Sequence, residues 1–142
     1  MIKNISTLIL CGGKGSRLKK LGKKIPKTLV KVNNKHFIEY IINGFDKKYI
    51  NKIIISGFYK FDILKKSLKT LKYKNIITFN DGNITILQRI KKTLMRERKD
   101  LLVCYGDELA DIDFKKLINS HIKSKKLITI STIKLKSNFG FL

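Results

Sequence analysis

The sequence predicts an α/β fold, a mostly parallel sheet covered by helices on both faces in three layers. Three observations predict it: short apolar runs that end in glycine or turn residues, intervening segments whose apolar residues recur at three- and four-residue spacing, and the alternation of the two kinds along 142 residues. A strand, a helix and a second strand in succession require a crossover, which is right-handed and leaves the two strands parallel. A single domain over residues 1–142 is expected, with no internal repeat or linker.

Residues 5–10 form the first apolar run, which stops at Cys11, Gly12, Gly13, Lys14 and Gly15, as a buried strand entering a glycine loop does. Phe37, Ile38, Ile41, Ile42 and Phe45 fall on one helical face, with Lys47 and Lys48 at the end where cations oppose the helix dipole. Residues 53–55, closed by Ser56 and Gly57, read as the second strand. Phe61, Leu64, Leu68 and Leu71 define the next amphipathic helix, and residues 75–79 the strand after it. Residues 80–83 carry turn chemistry, and Ile84, Leu87, Ile90 and Leu94 are expected to form the inward face of a third helix. Residues 101–105 read as a strand ending at Gly106 and Asp107. Asp113 is placed to cap a helix whose apolar face is Phe114, Leu117, Ile118, His121 and Ile122. Residues 127–135, rich in Ile and Thr, are expected to add a further strand.

Composition narrows the function classes. Hydrophobic residues make up 43% of the chain and are spread along it, which argues against disorder. A domain of this length buries about 68–70% of its unfolded surface and needs no disulfide or structural metal for a core. Apolar runs fall far short of the roughly 18 residues of a membrane span, and the start of the chain lacks a secretory pattern, so a cytoplasmic protein without membrane contact is expected. Cys11 and Cys104 lie far apart with no CxxC spacing, and buried reduced thiols are their expected state.

The chain carries 32 Lys and Arg against 10 Asp and Glu, a net charge of +22. Such an excess would suit a nucleic-acid partner, yet only Arg17, Arg89, Arg96 and Arg98 are arginines, the residue that recognises phosphate through a bidentate fork. Abundant Ile, Asn and Lys together are what an AT-rich coding sequence produces, and no nucleic-acid partner is expected. The distribution is more informative than the sum. Ten basic residues precede Glu39, the first acid, so this segment is built to meet an anion. Asp107, Glu108, Asp111 and Asp113 then crowd into seven residues, a spot suited to a hard cation. A polyphosphate with Mg²⁺ satisfies both.

The segment from Leu10 to Leu18, LCGGKGSRL, is neither a Walker loop nor GxGxxG. Its glycines remove side chains so that backbone N–H groups can approach phosphate oxygens, and Arg17 adds a planar charged fork. A glycine turn after a strand is by itself most often structural. Here the pattern continues through Pro26-Lys27-Thr28-Leu29-Val30-Lys31-Val32-Asn33-Asn34-Lys35 and on to Phe37-Ile38-Glu39-Tyr40. This opening resembles that of the sugar-1-phosphate nucleotidyltransferases, which read GGxGxRL, then PK, then a short V-x-(N/G)-x-K stretch leading into a helix. The segment VCYGDELADID from Val103 to Asp113, with His121 beyond it, looks most like the glucose-1-phosphate cytidylyltransferases of that family, and the ending NFGFL from Asn138 to Leu142 looks like the family's FG segment.

The resemblance implies a Rossmann-like three-layer sandwich of the nucleotide-diphospho-sugar transferase type, C-terminally truncated, so that residues 1–142 would be an incomplete nucleotide-binding domain. It implies transfer of a nucleoside monophosphate from an NTP to a sugar 1-phosphate, with CTP and glucose 1-phosphate the first guess and a catalytically inactive nucleotide-binding remnant the alternative. By the same resemblance Leu10, Gly12, Gly13, Gly15, Ser16 and Arg89 bind the nucleotide, Arg17 stabilises charge on the leaving pyrophosphate, Lys27 bridges phosphate oxygens, and Asp107 ligates Mg²⁺. The bland reading of Arg17 and Lys27 is solvated surface charge; Asp113 is more simply a helix cap, and His121 a satisfied, partly buried side chain. Where cytidylyltransferase-like relatives carry TGG, this chain has Asn83-Ile84-Thr85, and His36 stands in place of their proline. A homo-oligomer, or a partner chain supplying the absent half, is a further expectation, because a sheet edge left without neighbours favours association.

Overall fold

The structure is a computed structural model that describes residues 5–71 and 73–134. In chain order the elements are β1 (Ile5–Cys11), 3-10 turn Ser16–Leu18, α1 (Lys19–Gly22), 3-10 turn Lys27–Leu29, β2 (Lys31–Val32), β3 (Lys35–His36), α2 (Phe37–Asn43), β4 (Ile50–Gly57), α3 (Phe61–Thr70), β5 (Ile76–Asn80), α4 (Ile86–Glu97), β6 (Leu101–Tyr105) and α5 (Phe114–Ser124). The chain divides into two compact units, the first ending at Ala110 and the second, which holds α5, beginning at Asp111.

In the first unit four parallel strands form a sheet in the order β5-β4-β1-β6. β1 is buried along its whole length, Ser6 and Thr7 included, as a strand with neighbours on both edges and layers on both faces must be. Leu8 and Leu10 of β1, with Ile54 of β4, form a core on one face, packed by Phe79, Leu101 and Ile90 of α4. On the opposite face Gly57 lies against Phe61 and Leu64 of α3. Each fully buried aliphatic side chain in these layers contributes about 1.5–3 kcal/mol. Chain order reverses at β1, whose neighbours β4 and β6 lie on its two sides, so the crevice beyond the carboxyl ends of β1 and β6 is the switch point where ligands bind in such sheets.

Between β1 and β4 the chain makes a short hairpin. Asn33 and Asn34 both take positive φ, 47° and 63°, as a two-residue type I′ turn between β2 and β3 requires. His36 then stands as the N-cap of α2: its N–H donates to Glu39 Oε1 at 2.8 Å, while its Nδ1 donates to the Leu29 carbonyl at 2.7 Å.

Two expectations are corrected here. α4 begins at Ile86 and turns inward Arg89 and Thr93, whereas Leu87 is 77% exposed and Leu94 is also exposed. Polar partners on the sheet select that face. Glu97, at the last turn of α4, accepts from Ser6 Oγ at 2.7 Å and from Lys52 Nζ at 2.9 Å, tying the helix to the starts of β1 and β4. Burial pushes the Glu97 carboxyl up, but the Ser6 and Lys52 hydrogen bonds and the Lys52 and Lys99 charges outweigh it and hold it below its ordinary value. The second correction concerns residues 127–134, which form no strand; Leu127 is 98% exposed, and Ile128, Ile130 and Ile133 are exposed too. A strand needs a neighbour for its backbone groups as well as β-branched side chains, and among the described residues this segment pairs with none. Residue 135 and the FG ending, Asn138 to Leu142, lie outside the described residues.

In the second unit α5 is capped as expected, with Asp113 Oδ1 accepting from the Lys116 N–H at 2.9 Å. His121 Nδ1 is hydrogen-bonded to Thr129 Oγ1 at 2.8 Å, a satisfied side chain. No helix among the described residues is long and apolar enough to cross a membrane.

Candidate active site

A cleft of about 710 Å³ opens at the switch point of the sheet. Its floor is the end of β1, one wall is the glycine loop and the 3-10 turn after it, the other wall is residues 83–86, and Lys27, Thr28, Tyr105 and Asp107 close the side next to β6. Leu10, Gly12, Gly13, Gly15, Ser16, Arg17, Lys27, Arg89 and Asp107, the nine residues that the sequence reading singles out, all line it.

β1 delivers the loop to this position. Beyond Cys11 the chain leaves the sheet, and Gly15 turns it with φ 62° and ψ 36° into the 3-10 turn Ser16–Leu18, where the Leu18 N–H donates to the Gly15 carbonyl at 2.9 Å. A left-handed residue at that point costs glycine nothing and other residues about 1 kcal/mol or more. Arg17 projects from the turn and is exposed. Pro26 is buried and leads into the second 3-10 turn, which carries Lys27 back to the cleft.

Lys27 and Asp107 meet across 80 residues of sequence, Nζ to Oδ2 at 2.6 Å, with side chains 42% and 35% exposed. An ion pair of that exposure contributes about 1 kcal/mol or less, so either partner can be given up to a ligand at small cost. Asp107 is placed there by Gly106, whose N–H donates to the Leu10 carbonyl at 2.9 Å, extending the β1–β6 pairing past the end of the strand. Gly106 has no room for a side chain: a Cβ would come within 2.5 Å of Cys11 Sγ, 2.8 Å of Thr28 Cγ2 and 2.9 Å of the Leu10 carbonyl oxygen. Burial pushes the Cys11 thiol up to about 12, against the opposing pull of the Thr28 hydroxyl and the Arg89 charge. Burial likewise pushes Cys104 up to about 12, so the nucleophilic thiolate is disfavoured at both cysteines, which form no disulfide with one another.

Arg89 reaches the cleft from below. It is 4% exposed, and its Nη1 donates to Ser56 Oγ at 3.0 Å and to the Gly57 carbonyl at 3.1 Å, while Nη2 donates to the Gly82 carbonyl. Burial lowers its pKa, and the Asp81 carboxylate opposes that shift. The guanidinium lies against Gly12, where a Cβ would come within 2.8 Å of Cζ and Nη2. Gly13 differs: a Cβ there would meet nothing within 4 Å.

Sequence reading missed part of this architecture. Thr85 and Gln88 form a capping box, the Thr85 N–H donating to Gln88 Oε1 at 2.8 Å and the Gln88 N–H to Thr85 Oγ1 at 3.2 Å. The T-x-x-Q spacing was the available signal, and it moves the start of α4 past Ile84. Asp81 and Ser56 carry no such signal: Asp81 lies in what reads as a turn, yet it is buried and accepts from Ser56 Oγ at 2.6 Å and from both Nη atoms of Arg96 at 3.1 Å.

Among the described residues no group of three or more His, Cys, Asp or Glu could hold a metal ion. The one carboxylate facing the cleft, Asp107, suits Mg²⁺ in the manner of sites where a phosphate substrate supplies most of the remaining ligands.

Comparison with known proteins agrees with this geometry. The chain is 34% identical over 115 residues to D-glycero-alpha-D-manno-heptose 1-phosphate guanylyltransferase of Campylobacter jejuni, an alignment covering 80% of this chain and 52% of that protein. It is 28% identical to the "Probable glucose-1-phosphate cytidylyltransferase" of Bacillus subtilis, covering 97% of this chain and 64% of that one. Among solved structures it superposes on HddC from Yersinia pseudotuberculosis with a TM-score of 0.66 at 28% identity, covering 83% of this chain and 54% of that one; HddC has also been solved complexed with GMP-PN. The chain therefore spans about half the length of the heptose 1-phosphate guanylyltransferase it matches. The family model for nucleotidyl transferases matches residues 6–141, and the chain belongs to that family.

Proposed function

We propose that the cleft binds a nucleoside triphosphate and serves transfer of its nucleoside monophosphate to a sugar 1-phosphate, releasing pyrophosphate. The observation that carries this reading is the convergence of the glycine loop, Arg17, Lys27 and Asp107 on one cleft at the switch point. In the reaction a phosphate oxygen of the sugar 1-phosphate attacks the α-phosphorus, the new P–O bond forms, and the bond to the β-phosphate oxygen breaks as pyrophosphate leaves. Such a displacement needs alignment and charge neutralisation more than covalent help. Backbone N–H groups of Gly12, Gly13, Gly15 and Ser16 hold the triphosphate against the end of β1 beside Leu10. Lys27 leaves Asp107 to bridge phosphate oxygens, and Arg17 takes the charge that develops on pyrophosphate. Mg²⁺, held by Asp107 together with triphosphate oxygens, would supply neutralisation of the same phosphates.

For the substrates, GTP with a heptose 1-phosphate is favoured by the 34% identity to the guanylyltransferase and by the GMP-PN complex of HddC. CTP with glucose 1-phosphate is the second pair, supported by the segment from Val103 to Asp113 and the Bacillus subtilis relative. A second reading, a nucleotide-binding module without turnover or one completed by a partner chain, is favoured by the roughly half-length span against the relatives. Pyrophosphate release with Mg²⁺, each of the four triphosphates and a panel of sugar 1-phosphates is the test. Release with one pair identifies the transferase and its substrates. No release, with a triphosphate still raising the thermal midpoint, favours the binding module; no effect of any triphosphate refutes both.

A further inference from the structure

We infer that Arg89 is a positioning residue that acts through Gly12, clamping the glycine loop to the loop after β5 so that the two walls of the cleft keep a preset spacing. The inference rests on the nucleotide-binding reading above for its consequence, and on the contacts of Arg89 for its geometry.

A guanidinium buried as deeply as this one has given up its water, and it is kept only where protein acceptors replace that water. Its acceptors come from separate parts of the chain: Ser56 Oγ and the Gly57 carbonyl at the end of β4, and the Gly82 carbonyl beyond β5. Its face meets Gly12 beyond the end of β1. One planar group thus joins the ends of three adjacent strands on the side where the cleft opens, and α4 carries it between the cap at Thr85 and the anchor at Glu97. Lysine has the charge but neither the plane nor the fork to reach these acceptors together.

The clamp is itself oriented. Ser56, which accepts from Arg89, donates to Asp81 Oδ2 at 2.6 Å. The Asp81 N–H donates to the same Gly57 carbonyl at 3.1 Å, and Asp81 Oδ1 takes the fork of Arg96, whose guanidinium sits 4.0 Å over the Phe79 ring. Asp81 thus supplies the negative charge that makes a buried arginine tenable and fixes which way the Ser56 hydroxyl points. The loop is consequently closed on its inner side at Gly12 and open on its outer side at Gly13, the side left for a ligand.

A double-mutant cycle tests the clamp. Gly12→Ala, Arg89→Ala and the double variant are compared for affinity towards GTP and CTP with Mg²⁺ by calorimetry, and for amide hydrogen exchange in the unliganded protein. Arg89→Ala is expected to lose affinity about tenfold or more, the weight of a charge-assisted hydrogen bond, and Gly12→Ala to lose a comparable amount because its methyl, 2.8 Å from Cζ and Nη2, displaces the guanidinium from its acceptors. The double variant should bind no worse than Arg89→Ala, because the added methyl then meets no guanidinium. Arg89→Lys should fail to restore affinity, and amides at 12–15 and 82–85 should exchange faster while those of β1 and β4 are unchanged. Additive losses, binding restored by lysine, or unchanged exchange in both loops would overturn the inference. If Arg89→Ala unfolds, Ser56→Ala, which removes one anchor and leaves Gly57 and Gly82, should give a smaller rise in exchange at the same two loops; no rise refutes the clamp. If the wild-type chain binds neither triphosphate, the nucleotide reading fails, and the exchange measurement still decides the clamp.

Discussion

Gly106→Ala tests whether close packing at the end of β6 places the carboxylate of the cleft. The new methyl would lie 2.5 Å from Cys11 Sγ, 2.8 Å from Thr28 Cγ2 and 2.9 Å from the Leu10 carbonyl oxygen. Cys11 and Thr28 are buried, and the carbonyl is backbone held by the Gly106 N–H, so none of the three is the loose end of a flexible side chain. Overpacking of this kind costs about 1–3 kcal/mol. Relief by moving Gly106 away from Leu10 would also give up that hydrogen bond, a further ~1 kcal/mol. The sum, about 2–4 kcal/mol, corresponds in a domain of this size to a fall of roughly 6–16 °C in thermal midpoint. Calorimetry and urea unfolding read it directly. The matched control is Gly13→Ala, whose methyl meets nothing within 4 Å and whose stability should stay within about 1 kcal/mol of wild type, while triphosphate affinity falls because the methyl occupies the ligand's side of the loop. A Gly106→Ala midpoint within about 2 °C of wild type, less than a 1 kcal/mol effect would produce, would refute the packing argument. Equal destabilisation by both substitutions would show that loss of backbone freedom, rather than contact, governs these glycines.

Asp107→Asn should remove Mg²⁺-dependent triphosphate binding while changing stability by about 1 kcal/mol or less, since the pair with Lys27 is exposed; binding titrations and urea midpoints separate the two effects. Glu97 gives an acid-limb prediction. Its carboxyl is held below an ordinary value of 4.5, so its stabilising contribution is complete above that pH and is lost as pH falls through the lower folded value; Glu97→Gln should flatten urea midpoints over that acid interval, and an unchanged profile would contradict the Ser6–Lys52 anchor. Neither Cys11 nor Cys104, each pushed up to about 12, should react with iodoacetamide at pH 8 in the native protein, about four decades below half-ionisation, and both should react in urea; rapid labelling of the native chain would refute the desolvation of these thiols.

Local pattern carried most of the fold. Four strands, the helices beginning near Phe37 and Phe61 and the Asp113 cap follow from residues a few positions apart, because burying an apolar face imposes a period that a short window reveals. The cleft was legible through chemistry: glycines after a strand, an arginine and a lysine among basic residues, and an aspartate after another strand line one cavity. Other features escaped because their signals lie elsewhere in the chain. Leu87 and Leu94 are spaced for an inward face, yet Arg89 and Thr93 occupy it, since Ser56 and Gly57 offer Arg89 hydrogen bonds that no window around α4 contains.

By itself the sequence determined the alternation of strands and helices, the parallel sheet that follows from it, and the residue types suited to a polyphosphate, because each depends on spacing or on the chemistry of single side chains. Tertiary structure alone decided that Lys27 and Asp107 form an ion pair across 80 residues, that Gly12 is glycine partly to admit Arg89, and that residues 127–134 remain unpaired among the described residues despite their β-branched side chains. Ion pairs, steric contacts and strand pairing are relations between distant segments, and they acquire energy only when folding brings those segments within a few ångströms.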